Sequence, residues 1–198
     1  MPHLPVPAEL RAPAELRCAL VSDVDRELAL AVLSDAERAR YDERPSDAFL
    51  AGRMLVRALA GDLLGIPPER VPVSATCPDC GGPHGAPVIA GSDLHVSLSH
   101  ADGLVVAAAR RGAAVGVDVE RSTVAAERLA AIGALTGRAS VRHWTRVEAV
   151  LKADGRGLRL DPSLVVIDTE VASLGGDRYL LQDAALPEGY TGSVAVRL

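Results

Sequence analysis

LHVSLSHADGLVVAAARRGAAVGVDVE, residues 94–120, holds three strand candidates in quick succession: 94–100, 104–110 and 114–120. Its middle run, LVVAAA at 104–109, is six apolar residues, a length no other apolar run of the chain exceeds. Far too short to span a bilayer, it reads as a strand. Working outward, residues 122–153 have a helical pattern. The end of the chain reads as an antiparallel meander of LVVID, RYLLQDAAL and GYTGSVAVRL, with turn residues between them. Upstream, 34–65 is helical: Ser34 and Glu37 form a capping box, Gly65 with Pro67 and Pro68 closes the segment, and Pro45 splits it in two. A loop rich in Gly, Pro and Cys follows at 72–93, and LRCALV at 16–21 is a candidate first strand. Helix and strand in segregated blocks predict an α+β fold with antiparallel sheet. The chain divides near residue 113, into an N-terminal subdomain (1–113) and a C-terminal one (114–198), and an α-then-β order recurs in both.

Bulk composition narrows the functional classes. A chain of 198 residues and 20.6 kDa can bury a real core, and 48% hydrophobic residues exclude a disordered one. With aromatics at 3%, that core must be built mainly of Ala, Val and Leu. A net charge of −5 argues against general nucleic-acid or anionic-membrane binding. The opening MPHLPVPAELRAPAEL shows no basic segment followed by an apolar one, hence no secretory signal is expected. Three cysteines, an odd number, suggest a reducing compartment, with the cytoplasm as the default.

The chemistry gathers in two places. In VGVDVE the residues alternate, so Asp118 and Glu120 share one face of the strand and Val117 and Val119 the other. An isolated Asp-x-Glu is usually a solvated face, but this pair follows an apolar approach and ends a buried strand. Oxygen ligands of this kind suit Mg²⁺. The helix HWTRVEAVLKADGRGL carries Trp144, Val147 and Leu151 as its core stripe, with Glu148 and Lys152 as i, i+4 neighbours about 40° and 80° around from Trp144. Such a pair is ordinarily a surface salt bridge worth about 0.2–0.5 kcal/mol. Lys152, however, is the only lysine among 21 Lys plus Arg. A compact point charge beside a phosphoryl oxygen, or a titratable donor, is what arginine cannot supply. Glu148 is then a third metal ligand or a general base.

GVDVE (116–120) followed by WTRVEAVLKADGRGL (144–158) resembles the paired signature motifs of the Sfp-type 4′-phosphopantetheinyl transferases, G-[IV]-D-[IV]-E and W-x-x-x-E-x-x-x-K-x-x-G-x-G-L. Further similarity lies in FLAGRMLVRALAGDLLG (49–65), CPDCGGPHGAP (77–87), VSLSHADGLVVAAA (96–109) and GYTGSVAV (189–196), so the resemblance runs over about residues 30–198. It implies a monomeric pseudo-dimer of two α+β halves with coenzyme A in the cleft between them. It also implies Mg²⁺-dependent transfer of phosphopantetheine to a serine of an acyl or peptidyl carrier protein, releasing 3′,5′-ADP. Carried over residue by residue, Asp118, Glu120 and Glu148 are the implied Mg²⁺ ligands, with Glu148 also the base toward the carrier serine. Lys152 is implied at the departing phosphate, Ser99 and His100 at coenzyme A phosphates, and Arg53 at the 3′-phosphate, with Arg57 a weaker candidate.

Departures from the pattern keep two other readings open. Ala86 stands where many members carry Lys or Arg, Val147 replaces a basic residue before the glutamate, and the carrier-docking interval 121–143 is short. A coenzyme A or carrier-binding module without turnover is one alternative, and a Mg²⁺-dependent phosphohydrolase the other. The sequence leaves open which carrier or pathway is served. Cys77 and Cys80 form a C-x-x-C knuckle with His84 nearby; a structural zinc site needs four ligands and only Cys18 is left as a thiol, so a plain loop is expected there.

Overall fold

The computed structural model describes residues 13–198. The opening stretch read for a secretory signal lies, through residue 12, outside the described residues. In chain order the strands are β1 (Glu15–Leu20), β2 (Val73–Ser74), β3 (Val88–Ile89), β4 (Leu94–Ala101), β5 (Leu104–Arg111) and β6 (Val115–Arg121). They continue with β7 (Val166–Asp168), β8 (Val171–Leu174), β9 (Asp177–Asp183) and β10 (Tyr190–Arg197). The helices are α1 (Arg26–Ala31), α2 (Asp35–Glu43), α3 (Asp47–Leu64), α4 (Ala126–Thr136) and α5 (Val141–Asp154). The fold is mixed α+β, and all its strand ladders are antiparallel. None of the described helices is long and apolar enough to cross a membrane.

Two sheets organise the chain. The first, ordered β1-β5-β4, lies wholly before residue 113; the second, ordered β6-β10-β9-β8-β7, lies wholly after it. In each, a leading strand pairs with the second strand of a later antiparallel pair: β1 with β5, and β6 with β10. Helices fill the interval both times. α3 packs Val56, Leu59 and Ala60 against Val96, Ala107 and Ala109 of the first sheet. α5 packs Val147, Val150 and Leu151 against Tyr179, Leu181 and Ala195 of the second. The opposite faces share a third core, in which Leu104, Val106 and Ala108 of β5 meet Val115, Val117 and Val119 of β6 and Val194 and Val196 of β10.

Local chemistry explains the boundaries. The Ser34–Glu37 capping box starts α2, Ser46 caps α3, and Gly65 in the left-handed conformation ends it. Three expectations are corrected. The stretch 122–153 is two helices, because Gly137 takes a left-handed φ of 74° and Ser140 caps a fresh start. The closing meander has four strands rather than three, with β8 lying where turn residues are expected. Within the loop at 72–93, Val73 and Ser74 pair with Ile89 and Val88.

Candidate functional site

β6 and α5 meet at Gly116. A Cβ there would lie 2.0 Å from the carbonyl oxygen of Ala149 and 2.5 Å from the nitrogen of Ala153, so only glycine lets the helix backbone come this close. Because side chains alternate along β6, Asp118 and Glu120 share the α5 side with Gly116, while the valines fill the shared core. Trp144, Val147 and Leu151 are buried as the helical stripe requires. Thr145 and Ser193 of β10 share a buried hydroxyl–hydroxyl bond of 2.9 Å. Glu148 and Lys152 are thereby carried to the carboxylates of β6.

Lys152 is placed differently from its i, i+4 expectation. Its Nζ donates to Asp118 Oδ1 at 2.8 Å and to the carbonyl of Val117 at 3.0 Å, rather than pairing with Glu148. The lysine side chain is 28% exposed and that of Asp118 8%, so this is a largely buried ion pair. Ser99 Oγ donates to the same Asp118 oxygen at 2.8 Å and accepts from the amide of Val119 at 3.4 Å. Ser99, implied at a phosphate by the resemblance, here orients Asp118. Asp118 Oδ2 is buried and has no hydrogen-bond partner among the described residues. Burial pushes the Asp118 carboxyl above its ordinary range, against the opposing pull of Lys152.

Glu120 Oε1 accepts from Arg128 Nη2 at 2.7 Å and Trp144 Nε1 at 3.2 Å. Glu148 is half-buried, and burial, then the neighbouring charge of Asp118, raises its pKa. These three carboxylates are electrostatic neighbours, yet their oxygens do not all converge within 4.8 Å. Among the described residues only Cys77, Cys80 and His84 form so tight a group of potential ligands. The carboxylate set still fits a hard cation: its donors are all oxygens, and one buried oxygen of Asp118 is unsatisfied.

Beside this cluster lies a cavity of about 560 Å³. Arg40, Arg44, Arg53 and Lys152 line it together with His84 and His100, and no carboxylate does. In a chain of net charge −5 that is a local reversal of sign, and it suits an anion. Gly155 and Gly157 of the GRGL turn form part of the wall, both with positive φ. Ala86 is on the wall as well. Asp118, Glu120, Glu148 and Ser99 are not among the wall residues; Lys152 is, and joins the two regions.

Of the two arginines, Arg53 reaches the cavity and Arg57 does not. Arg57 is spent on a bidentate pair with Glu37, at 2.6 and 3.2 Å. Arg53 Nε sits 3.1 Å from Glu37, and its guanidinium lies 5.0 Å from the ring centre of Phe49. Its Nη1 is buried without a hydrogen-bond partner. Glu37 thus serves twice, as the box residue of α2 and as counter-ion for two buried arginines. Burial pushes its carboxyl up, but the Arg57 bonds, the Ser34 amide and both guanidinium charges prevail and hold it below the ordinary glutamate value.

Arg40, Arg44, Arg128 and Glu37 carry parts of this site that the sequence did not single out. For Arg40 and Arg44 the available signal was their position at the end of α2, just before the Pro45 break. Compared with protein-family models and with curated proteins, the chain matches none.

Proposed function

We propose that this chain transfers 4′-phosphopantetheine from coenzyme A to a serine of an acyl or peptidyl carrier protein. The observation that carries this reading is the cation-lined cavity joined, through Lys152, to a buried carboxylate cluster. A ligand with several phosphates and a bulky organic arm suits a cavity of this size and sign. The pseudo-dimer fold implied by the family resemblance is supported by the strand-helices-strand-pair order used in both sheets.

In this reading Arg40, Arg44, Arg53 and His100 hold coenzyme A by its phosphates. The carrier serine Oγ attacks the phosphorus that bears the pantetheine arm. A new phosphoester bond forms as the bond to the phosphate of the departing 3′,5′-ADP breaks. The serine proton passes to Glu148, a half-buried carboxylate on α5 beside the cluster. Lys152 offsets charge gathering on the leaving oxygen, and Ser99 keeps Asp118 oriented. Mg²⁺, when bound, would be held by Asp118, Glu120 and Glu148 and would neutralise charge on the diphosphate.

One observation favours a second reading. The three carboxylates are not gathered tightly, with Lys152 on Asp118 and Arg128 on Glu120. A coenzyme A or carrier-binding module without turnover is consistent with that. Incubation with coenzyme A, Mg²⁺ and a panel of apo acyl and peptidyl carriers separates the two. Transfer predicts one added phosphopantetheine by mass with stoichiometric 3′,5′-ADP. Coenzyme A binding with no ADP release across the panel favours the module, and release of free phosphopantetheine without a carrier would indicate a hydrolase.

A further inference from the structure

Outside the carboxylate cluster, one group of side chains converges that the proposed chemistry does not use. The ligand atoms of Cys77, Cys80 and His84 all lie within 4.8 Å of one another, and Cys80 Sγ is 3.0 Å from His84 Nε2. No disulfide engages these cysteines.

The backbone holds this trio together. The amide of Gly81 donates to the carbonyl of Cys77 at 2.9 Å, and the amide of Cys77 donates to the carbonyl of Gly82 at 2.8 Å, closing CPDCGG into a knuckle. Gly81 occupies the left-handed region at φ 73°, where any side chain would be strained. The Gly82 amide donates to Cys80 Sγ at 3.4 Å, and backbone amides of Asp79 and Cys80 face the sulfur of Cys77. Amide-to-sulfur bonds of this kind favour thiolates. The chain then folds back: Gly85 donates to the carbonyl of Ala75 at 2.7 Å, and a Cβ on Gly85 would meet the carbonyl oxygen of Thr76 at 2.3 Å. That close crossing is what returns His84 to the two sulfurs.

We propose that Cys77, Cys80 and His84 bind a thiophilic divalent cation, Zn²⁺ fitting best, through three protein ligands and one open position. Two thiolates and an imidazole match the ligand preference of zinc. Around one tetrahedral Zn²⁺ the sulfur and nitrogen atoms would sit about 3.6 Å apart, so the Cys80–His84 contact opens by about 0.6 Å. Cys77 is buried while Cys80 and His84 are exposed, which leaves the fourth position facing solvent and explains why no fourth protein ligand is needed.

The location gives the site a purpose. His84 and the three residues after it form part of the cavity wall, and Asp79 ties the knuckle to Arg159, beyond α5, at 2.8 Å. A bound cation therefore fixes the loop that closes one side of the cavity. The proposal does not depend on what the cavity binds.

The test is a Co²⁺ titration of the reduced, chelator-treated full chain under anaerobic conditions. One equivalent is expected to give a thiolate-to-cobalt charge-transfer band and tetrahedral d–d bands, both displaced by Zn²⁺. Cys80→Ser and His84→Ala, at exposed positions that leave folding intact by circular dichroism, should each weaken Co²⁺ binding by about tenfold or more. Cys18→Ser should titrate like the parent. Zn²⁺ should raise Tm in the parent and not in Cys80→Ser. Absence of the thiolate band, Co²⁺ affinity in Cys80→Ser equal to the parent's, or loss of the band in Cys18→Ser overturns the proposal. A Cys77–Cys80 disulfide that resists reduction and blocks cobalt uptake overturns it too.

Discussion

Replacing Gly116 by alanine should be among the most damaging single-methyl changes available to this protein. The backbone φ of Gly116 is not positive, so alanine meets no conformational penalty. On chain entropy alone the change would stabilise by about 0.4–1 kcal/mol. Packing reverses the sign. The new Cβ would sit 2.0 Å from Ala149 O, whereas ordinary contact begins near 3.4 Å, so α5 must retreat by about 1.4 Å. The obstacles, Ala149 O and Ala153 N, are helix backbone atoms that cannot swing aside. A gap of about 0.5–1 Å already forfeits a quarter to a half of each dispersion contact, and here it runs under Val147, Val150 and Leu151, all fully buried. Adding strain, the cost is about 3–5 kcal/mol, a fall in Tm on the order of 10 °C. Urea denaturation with chelator present would measure it. Ala149→Gly should not rescue, because the clash is with the carbonyl and not with the Ala149 side chain. A Gly116→Ala protein melting within a degree or two of the parent, or rescued by Ala149→Gly, would refute the packing account.

Lys152→Met should cost about 2–4 kcal/mol by urea titration, far more than a surface pair, since it strands the buried Asp118 carboxylate; Asp118→Asn in the same chain should restore most of the loss. Lys152→Arg should cut the transfer kcat/KM by about 10²-fold while folding, because a planar guanidinium cannot place its charge as the ammonium does. The Glu37 carboxyl is held below the ordinary glutamate value, so its contribution is full above that ordinary value and is lost as pH falls through the depressed one; Tm measured against pH should show this acid limb in the parent and lose it in a destabilised Glu37→Gln. The Tyr179 hydroxyl is raised to about 12, first by burial and then by its bond to Asp154 at 3.0 Å, so Tyr179→Phe should cost about 1 kcal/mol in stability and leave coenzyme A affinity unchanged.

Local signals were legible where they were strong. The capping box, the Pro45 break and the three apolar runs at 94–120 each gave an element because one physical cause dominated. Val171–Leu174 escaped because Ala and Ser at its centre carry little strand preference and the run is short. The break between α4 and α5 was signalled by Gly137 and Ser140, but helical patterns on both sides masked it. Site residues were legible by type and not by partner. Spacing within one helix suggested Glu148 for Lys152, while the actual partner lies on β6, reached only after α5 has packed on Gly116. Ser99 likewise bonds across the boundary between sheets, which no local pattern encodes. The three ligand types at 77–84 were visible, but their convergence depends on the fold-back at Gly85.

β4 and β6 run side by side without a backbone ladder between them. The Val117 amide instead donates to Ser97 Oγ at 3.0 Å, and the Val119 amide to Ser99 Oγ at 3.4 Å. A continuous ladder would weld the two sheets into one stiff plate. Two hydroxyl rungs make a looser joint, kept shut by the oily valines behind it. One rung, Ser99, also steadies Asp118, so the mechanical latch and the carboxylate cluster are the same few atoms. Whatever strains the joint is felt first at Asp118.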